Sequence, residues 1–130
     1  MYRIGQKEVD AVTQVLTSGR IFRYGDLGGA CRRFEERYAR YLGVRHAFMT
    51  ASGTNALTAA LVGLRIGPGD EVIVPACTYM ATAAAVLAAG AIPVVADIDA
   101  SITLDRAALD SMAGPRTRAV IPVHMWGRPG

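Results

Sequence analysis

Apolar residues recur at helical spacing over Val9, Val12 and Leu16, and Gly19 closes this first predicted helix. A loop from Arg20 to Gly29 follows, carrying glycines and aromatics. Phe34, Tyr38, Tyr41 and Leu42 then share one face of a second helix that ends at Gly43. An apolar strand is expected over Ala47–Thr50, followed by a Ser52-Gly53-Thr54 turn and an apolar helix over Ala56–Leu64. Gly67-Pro68-Gly69-Asp70 reads as a turn into a strand at Glu71–Val74. A loop at Pro75–Thr78 leads to a helix over Tyr79–Ala89, which Gly90 closes. A strand at Ile92–Asp97, a short helix from about Asp105 to Met112 and a strand at Arg118–Val123 complete the pattern.

Strands that alternate with helices, and that are apolar on both faces, predict an α/β fold with a mostly parallel sheet flanked by helices. In such sheets ligands sit outside the carboxyl ends of the strands. Those loops here are Thr50–Asn55, Pro75–Tyr79, Asp97–Thr103 and His124–Gly130. The run from Val72 to Ala96 holds no charge, which is long enough to suggest a membrane span. Pro75, Gly90 and Pro93 interrupt it, so it parses as strand, helix and strand, and no membrane association is expected.

Composition narrows the classes further. With 130 residues, 52% hydrophobic and 19% charged, the chain is one domain at most, with material for a real core. The net charge of +3 comes almost wholly from arginine. Arg32, Arg33, Arg37 and Arg40 lie on one helix with Glu35 and Glu36 between them, a solvated face and not a nucleic-acid footprint. Cys31, Cys77, His46 and His124 have no metal-ligand spacing, so no metal site is expected. Two thiols without such a framework suit a reducing cytoplasm. The first twenty residues carry Arg3, Lys7, Glu8 and Asp10 with no apolar block, so a cytoplasmic protein without a signal peptide is expected.

The candidate chemistry lies in Ala51-Ser52-Gly53-Thr54-Asn55-Ala56-Leu57, between a predicted strand and a predicted helix. A helix N-terminus offers unpaired N–H groups and roughly +0.5 of a charge, which suits an anion and phosphate above all. Gly53 lets a ligand approach the backbone, and the Thr54 hydroxyl can donate one more hydrogen bond. The same residues also make an ordinary helix cap. Gly67-Pro68-Gly69 is no dinucleotide fingerprint, because it precedes a strand.

Five ordered pieces resemble one family. They are Gly25 with Phe34-Glu35-Glu36 through Tyr41-Leu42-Gly43, Ser52-Gly53-Thr54-Asn55-Ala56-Leu57, Gly67-Pro68-Gly69-Asp70-Glu71-Val72-Ile73-Val74-Pro75, Gly90-Ala91-Ile92-Pro93-Val94, and Pro115 through His124. Together they resemble the DegT/DnrJ/EryC1/StrS sugar aminotransferases, which use pyridoxal 5'-phosphate on an aspartate-aminotransferase-like large domain of fold type I. The resemblance implies a phosphate cup at Gly53, Thr54 and Asn55, and Tyr79 as the stacking partner of the cofactor ring. At Tyr79 the plain alternative is a core aromatic at a helix start. The resemblance further implies a homodimer in which loop Arg20–Gly29 reaches toward the partner's site. Cys77 is expected to be a small buried filler and not a nucleophile, Thr82 either faces the site or packs within its helix, and His124 either lines the site or supports it.

The resemblance also shows what to expect elsewhere. Its chemistry needs a Schiff-base lysine and a carboxylate at the pyridine nitrogen, and in the family both follow the Pro-Val-His strand. The single lysine here is Lys7, in the first helix, and Asp97 and Asp99 match other family positions, so no catalytic residue is assigned. The expectation is an incomplete large domain: residues 1–28 an N-terminal helix and loop, residues 29–130 the leading part. The complete enzyme would move an amino group from glutamate or glutamine to a keto-sugar or keto-cyclitol, often nucleotide-linked, and the chain alone would be inactive. Two alternatives remain open at this point. One is a pyridoxamine-phosphate-dependent sugar dehydratase relative, and the other is a non-catalytic binding or dimerisation module.

Overall fold

The computed structural model describes residues 3–23 and 29–130. The chain forms two compact units, Met1–Met49 and Thr50–Gly130.

In the first unit, α1 (Gln6–Thr17) starts behind Gly5, whose N–H donates to the Glu8 carboxylate at 2.8 Å. Its apolar stripe of Val9, Val12 and Leu16 is exposed. Helix α2 (Ala30–Leu42) lines up Phe34, Tyr38 and Tyr41, with successive ring centroids 5.3 and 6.3 Å apart. That ladder is the helical face expected from spacing. Glu35 leaves α2 in another direction and receives the Met49 N–H at 2.6 Å. Arg23 donates to the Met49 carbonyl at 3.2 Å, lies 2.6 Å from Glu35 and covers the Phe48 ring at 4.0 Å.

This arrangement corrects one expectation. The segment expected as a strand at Ala47–Thr50 carries no strand. Both peptide groups of Met49 are taken by charged side chains, so they have no strand ladder to enter. The loop Arg20–Gly29, expected to reach a partner subunit, falls largely on residues 24–28, outside the described residues.

The second unit begins with α3 (Gly53–Gly63), followed by β1 (Glu71–Pro75), α4 (Ala81–Ala88) and β2 (Ile92–Ala96). It continues with α5 (Arg106–Met112), β3 (Thr117–Val120) and a 3-10 turn at Met125–Gly127. The three strands are parallel in the order β2-β1-β3. β1 is central because it can be buried on both faces. Val72 and Val74 join Leu61, Ile66, Val86 and Ala91 in the core, while Ile73, on the opposite face by strand alternation, is equally enclosed. At the start of β1 the register with β3 shifts by one residue. There Glu71 is held twice, donating its N–H to the Arg116 carbonyl at 2.8 Å and pairing with the Arg116 guanidinium at 2.6 Å.

Three helices stop in the same way. After α2, Val44 and Gly43 donate back to Ala39 and Arg40; after α4, Ala91 and Gly90 donate to Val86 and Leu87. After α3, Ile66 and Arg65 donate to Leu61 and Val62. Each is a Schellman motif, which needs a left-handed residue at its corner. Gly43 and Gly90 supply it at φ +69° and +80°, and at α3 a non-glycine, Arg65, adopts φ +60°.

Helix α4 joins two parallel strands and so runs back antiparallel to them. Helix α3 packs along α4 with contacts in the same chain order, Thr58 at Ala85 and, just past its end, Gly67 at Ala89, so the two helices run parallel to each other. Their carboxyl ends are clasped together. A Cβ on Gly90 would stand 3.4 Å from the Pro68 ring, and one on Gly67 would stand 3.7 Å from the Ala89 carbonyl oxygen.

Candidate functional site

The starts of α3 and α4 therefore lie abreast at the carboxyl edge of the sheet. The contact between them sits one turn inside each start. Thr58 Oγ1 donates to the Thr54 carbonyl at 3.1 Å within α3 and reaches the Ala85 carbonyl of α4 at 3.5 Å.

At the α3 start, Ser52 has an extended backbone (φ −160°) and its hydroxyl accepts the Asn55 N–H at 3.1 Å. Thr50 Oγ1 donates to the Ser52 carbonyl at 2.8 Å, and Ala56 N–H joins it at 3.0 Å. The turn that caps Asn55 leaves other donors over. Ser52 satisfies Asn55, while the N–H groups of Gly53 and Thr54 have no protein acceptor among the described residues. No atom lies within 4 Å of where a Gly53 Cβ would stand. Thr54 is half-buried and Asn55 is exposed. Of the three residues expected in the cup, two offer backbone donors, and Asn55 offers only its side chain.

At the α4 start, Tyr79 is 81% exposed and is no core aromatic. Behind it, Thr82 is buried, and its hydroxyl meets that of Thr78 at 2.8 Å. Thr82 therefore packs within the helix turn and does not face the ligand edge. Cys77 is half-buried between β1 and Tyr79. Two Thr-x-x-x-Thr pairs, Thr54/Thr58 and Thr78/Thr82, mark the two helix starts in the sequence. In α3 that spacing places the pair on one helix face, whereas Thr78 lies just before α4; the spacing is the sequence signal for Thr58 and Thr78.

The remaining edge residues are engaged locally. Asp99 accepts the Ser101 N–H at 2.7 Å and the Ser101 hydroxyl, and these bonds hold its carboxyl below the usual carboxylate range. His124 Nδ1 accepts the Gly130 N–H at 2.9 Å. Lys7 lies on α1 in the first unit, and residues 50–130 contain no lysine. A cleft of about 320 Å³ lined by Val15, Phe22, Cys31 and Glu35 belongs to the first unit and includes none of the candidate residues. Among the described residues, no cluster of three or more His, Cys, Asp and Glu could hold a metal, and no helix is long and apolar enough to cross a membrane.

The geometry defines a parallel α/β unit that presents two helix starts, one with open N–H groups and one with an exposed ring. The chain belongs to the DegT/DnrJ/EryC1/StrS aminotransferase family, whose model matches residues 2–130. It is 50% identical over 96 residues to the GDP-perosamine synthase of Caulobacter vibrioides, covering 73% of this chain and 26% of that protein. It is 43% identical over 122 residues to the L-glutamine:2-deoxy-scyllo-inosose aminotransferase of Streptomyces paromomycinus, covering 91% and 29%. Among solved structures, NtdA of Bacillus subtilis with bound cofactor PMP superposes with a TM-score of 0.84 at 35% identity, covering 95% of this chain and 29% of that one. The chain thus spans less than a third of the length of these relatives.

Proposed function

We propose that the chain supplies the phosphate cup and ring platform of a pyridoxal-phosphate-dependent aminotransferase. Its substrate would be a keto-sugar or keto-cyclitol, often nucleotide-linked, with glutamate or glutamine as amino donor. The carrying observation is the α3 start, where the Gly53 and Thr54 N–H groups have no protein acceptor among the described residues and space is open beside Gly53, next to a second helix start with an exposed Tyr79.

The residues fit the cofactor. A near-dianionic phosphate is held by N–H donors at a helix start. Gly53 and Thr54 would donate from the backbone, and Thr54 Oγ1 and the Asn55 side chain would add donors within the same turn. The Tyr79 ring offers a face for a planar heterocycle, worth about 0.5–1.5 kcal/mol beyond burial. Bound pyridoxal phosphate supplies an electron sink and a carrier for the amino group. This chain's own residues bind and orient it but move no proton, because residues 50–130 hold no lysine. The chain alone is therefore expected not to transaminate. In this reading residues 29–130 are the leading part of the large domain of a cytoplasmic homodimer. Similarity to a GDP-perosamine synthase and to an L-glutamine:2-deoxy-scyllo-inosose aminotransferase supports the substrate class.

The test is a titration of the whole chain with pyridoxamine 5'-phosphate, which forms no adduct with Lys7. Saturable binding, seen in the ³¹P shift and in quenching of ring fluorescence, is expected. Absence of saturable binding, or binding indifferent to Tyr79→Ala, would overturn the reading.

A further inference from the structure

Tyr79 poses a physical problem for a ring platform. Its side chain is 81% exposed and makes no hydrogen bond among the described residues, so packing does not aim it. Only its backbone can. Two bonds meet on that backbone, and a third links the side chains of the two threonines that make them. Thr82 N–H donates to the Tyr79 carbonyl at 2.9 Å. Thr78 Oγ1 donates to the same carbonyl at 3.4 Å. The Thr78 and Thr82 hydroxyls then meet at 2.8 Å.

Proton direction follows by elimination. A threonine hydroxyl carries one proton. Buried Thr82 has Thr78 Oγ1 as the one partner of its hydroxyl among the described residues, so the proton between the hydroxyls is assigned to Thr82, and the Thr78 proton is left for its longer contact with the Tyr79 carbonyl. The result is a closed ring, from Thr82 O–H to Thr78 Oγ1, from Thr78 O–H to the Tyr79 carbonyl, and from that carbonyl back to the Thr82 N–H. Thr82 departs here from the usual habit of a helical threonine, whose hydroxyl returns to a carbonyl one turn earlier. Thr82 is only 5% exposed, so its hydroxyl has no water to fall back on. A buried hydroxyl deprived of its partner is costly, which keeps the ring closed.

We propose that Thr82 and Thr78 are positioning residues for the cofactor ring, acting through the Tyr79 carbonyl. The inference rests on the proposed function, since it takes Tyr79 to be the ring platform. Neither hydroxyl touches the cofactor. Each fixes the peptide from which the phenol projects.

Thr82→Val keeps the shape and removes the hydroxyl, while Thr82→Ser keeps the hydroxyl. In the pyridoxamine 5'-phosphate titration of the whole chain, Thr82→Val should weaken binding about three- to tenfold, the span of one hydrogen bond. Ring quenching at saturation should fall while the bound ³¹P shift stays that of the parent, because the cup is untouched. Thr82→Ser should restore both affinity and quenching. A second readout needs no cofactor: the Thr82 amide should exchange faster with deuterium in Thr82→Val and at the parent rate in Thr82→Ser. Parent-like quenching and exchange in Thr82→Val would overturn this inference alone. A parent chain that does not bind the probe would overturn the proposed function and this inference together.

Discussion

The Arg23 guanidinium and the Glu35 carboxylate meet at 2.6 Å, and between them they hold both peptide groups of Met49. The Arg23 hydrogen bond, and then the Met49 N–H, keep the Glu35 carboxyl below its ordinary range. A depressed carboxylate contributes fully above its unfolded pKa and loses that contribution as pH falls through the lowered folded value. The Met49 amide should therefore stay protected from exchange near neutrality and open on the acid side of the ordinary carboxylate range. Glu35→Gln should abolish that pH dependence. Flat Met49 protection across the acid range in the parent would contradict the assignment.

Arg65 occupies a left-handed corner at φ +60°, where its two counterparts are glycines. The left-handed region costs a non-glycine residue roughly 1–2 kcal/mol. Its greater freedom when unfolded takes back part of the gain for glycine. Arg65→Gly should stabilise the second unit by about 0.5–1 kcal/mol, read as a higher urea midpoint by circular dichroism. A lower midpoint would show that the Arg65 side chain holds something its backbone geometry does not reveal.

Gly53 separates fold from function. It stands at the first position of α3 with open space around it and no left-handed φ, so nothing in the fold requires glycine there. Gly53→Ala should leave stability unchanged or raise it by up to about 1 kcal/mol. The same methyl would stand where a phosphate approaches, and pyridoxamine 5'-phosphate binding should weaken. Loss of stability together with unchanged binding would mean that the open face serves no ligand.

Thr54→Val should weaken cofactor binding by about 0.5–1.5 kcal/mol, or up to about 3 if the bond is charge-assisted. Tyr79→Phe should be mild because the ring face remains, whereas Tyr79→Ala should release the cofactor more readily. Equal affinities in these three variants and the parent would put the pocket somewhere else.

The sequence read most clearly where local chemistry decides. Gly43 and Gly90 announced two helix ends because only glycine takes that corner without strain. The third corner, Arg65, carries no such mark, and the predicted helix simply ran on to Leu64. Ala47–Thr50 reads as a strand because an apolar run reports only which residues are apolar. It cannot report that Glu35 and Arg23, distant in sequence, take the peptide groups of Met49. The turn at Ser52–Asn55 was legible as a helix start. That its Asn55 N–H goes to Ser52 and leaves Gly53 and Thr54 open is a matter of side-chain geometry, which pattern does not encode. The place of Thr82 is not encoded for the same reason, since a hydroxyl bonded sideways to another hydroxyl leaves no periodic trace.

The clasp of Gly90 against Pro68 makes a fulcrum of the far end of the helix pair. Helix α3 extends 11 residues away from it, a lever of about 16 Å at 1.5 Å per residue. A rotation of about two degrees at that fulcrum would carry the opposite tip by roughly 0.6 Å, as much as a preorganised site tolerates. The accuracy of the ligand edge is thus set at the other end of the helices, where a proline ring and a residue without a side chain lie against each other.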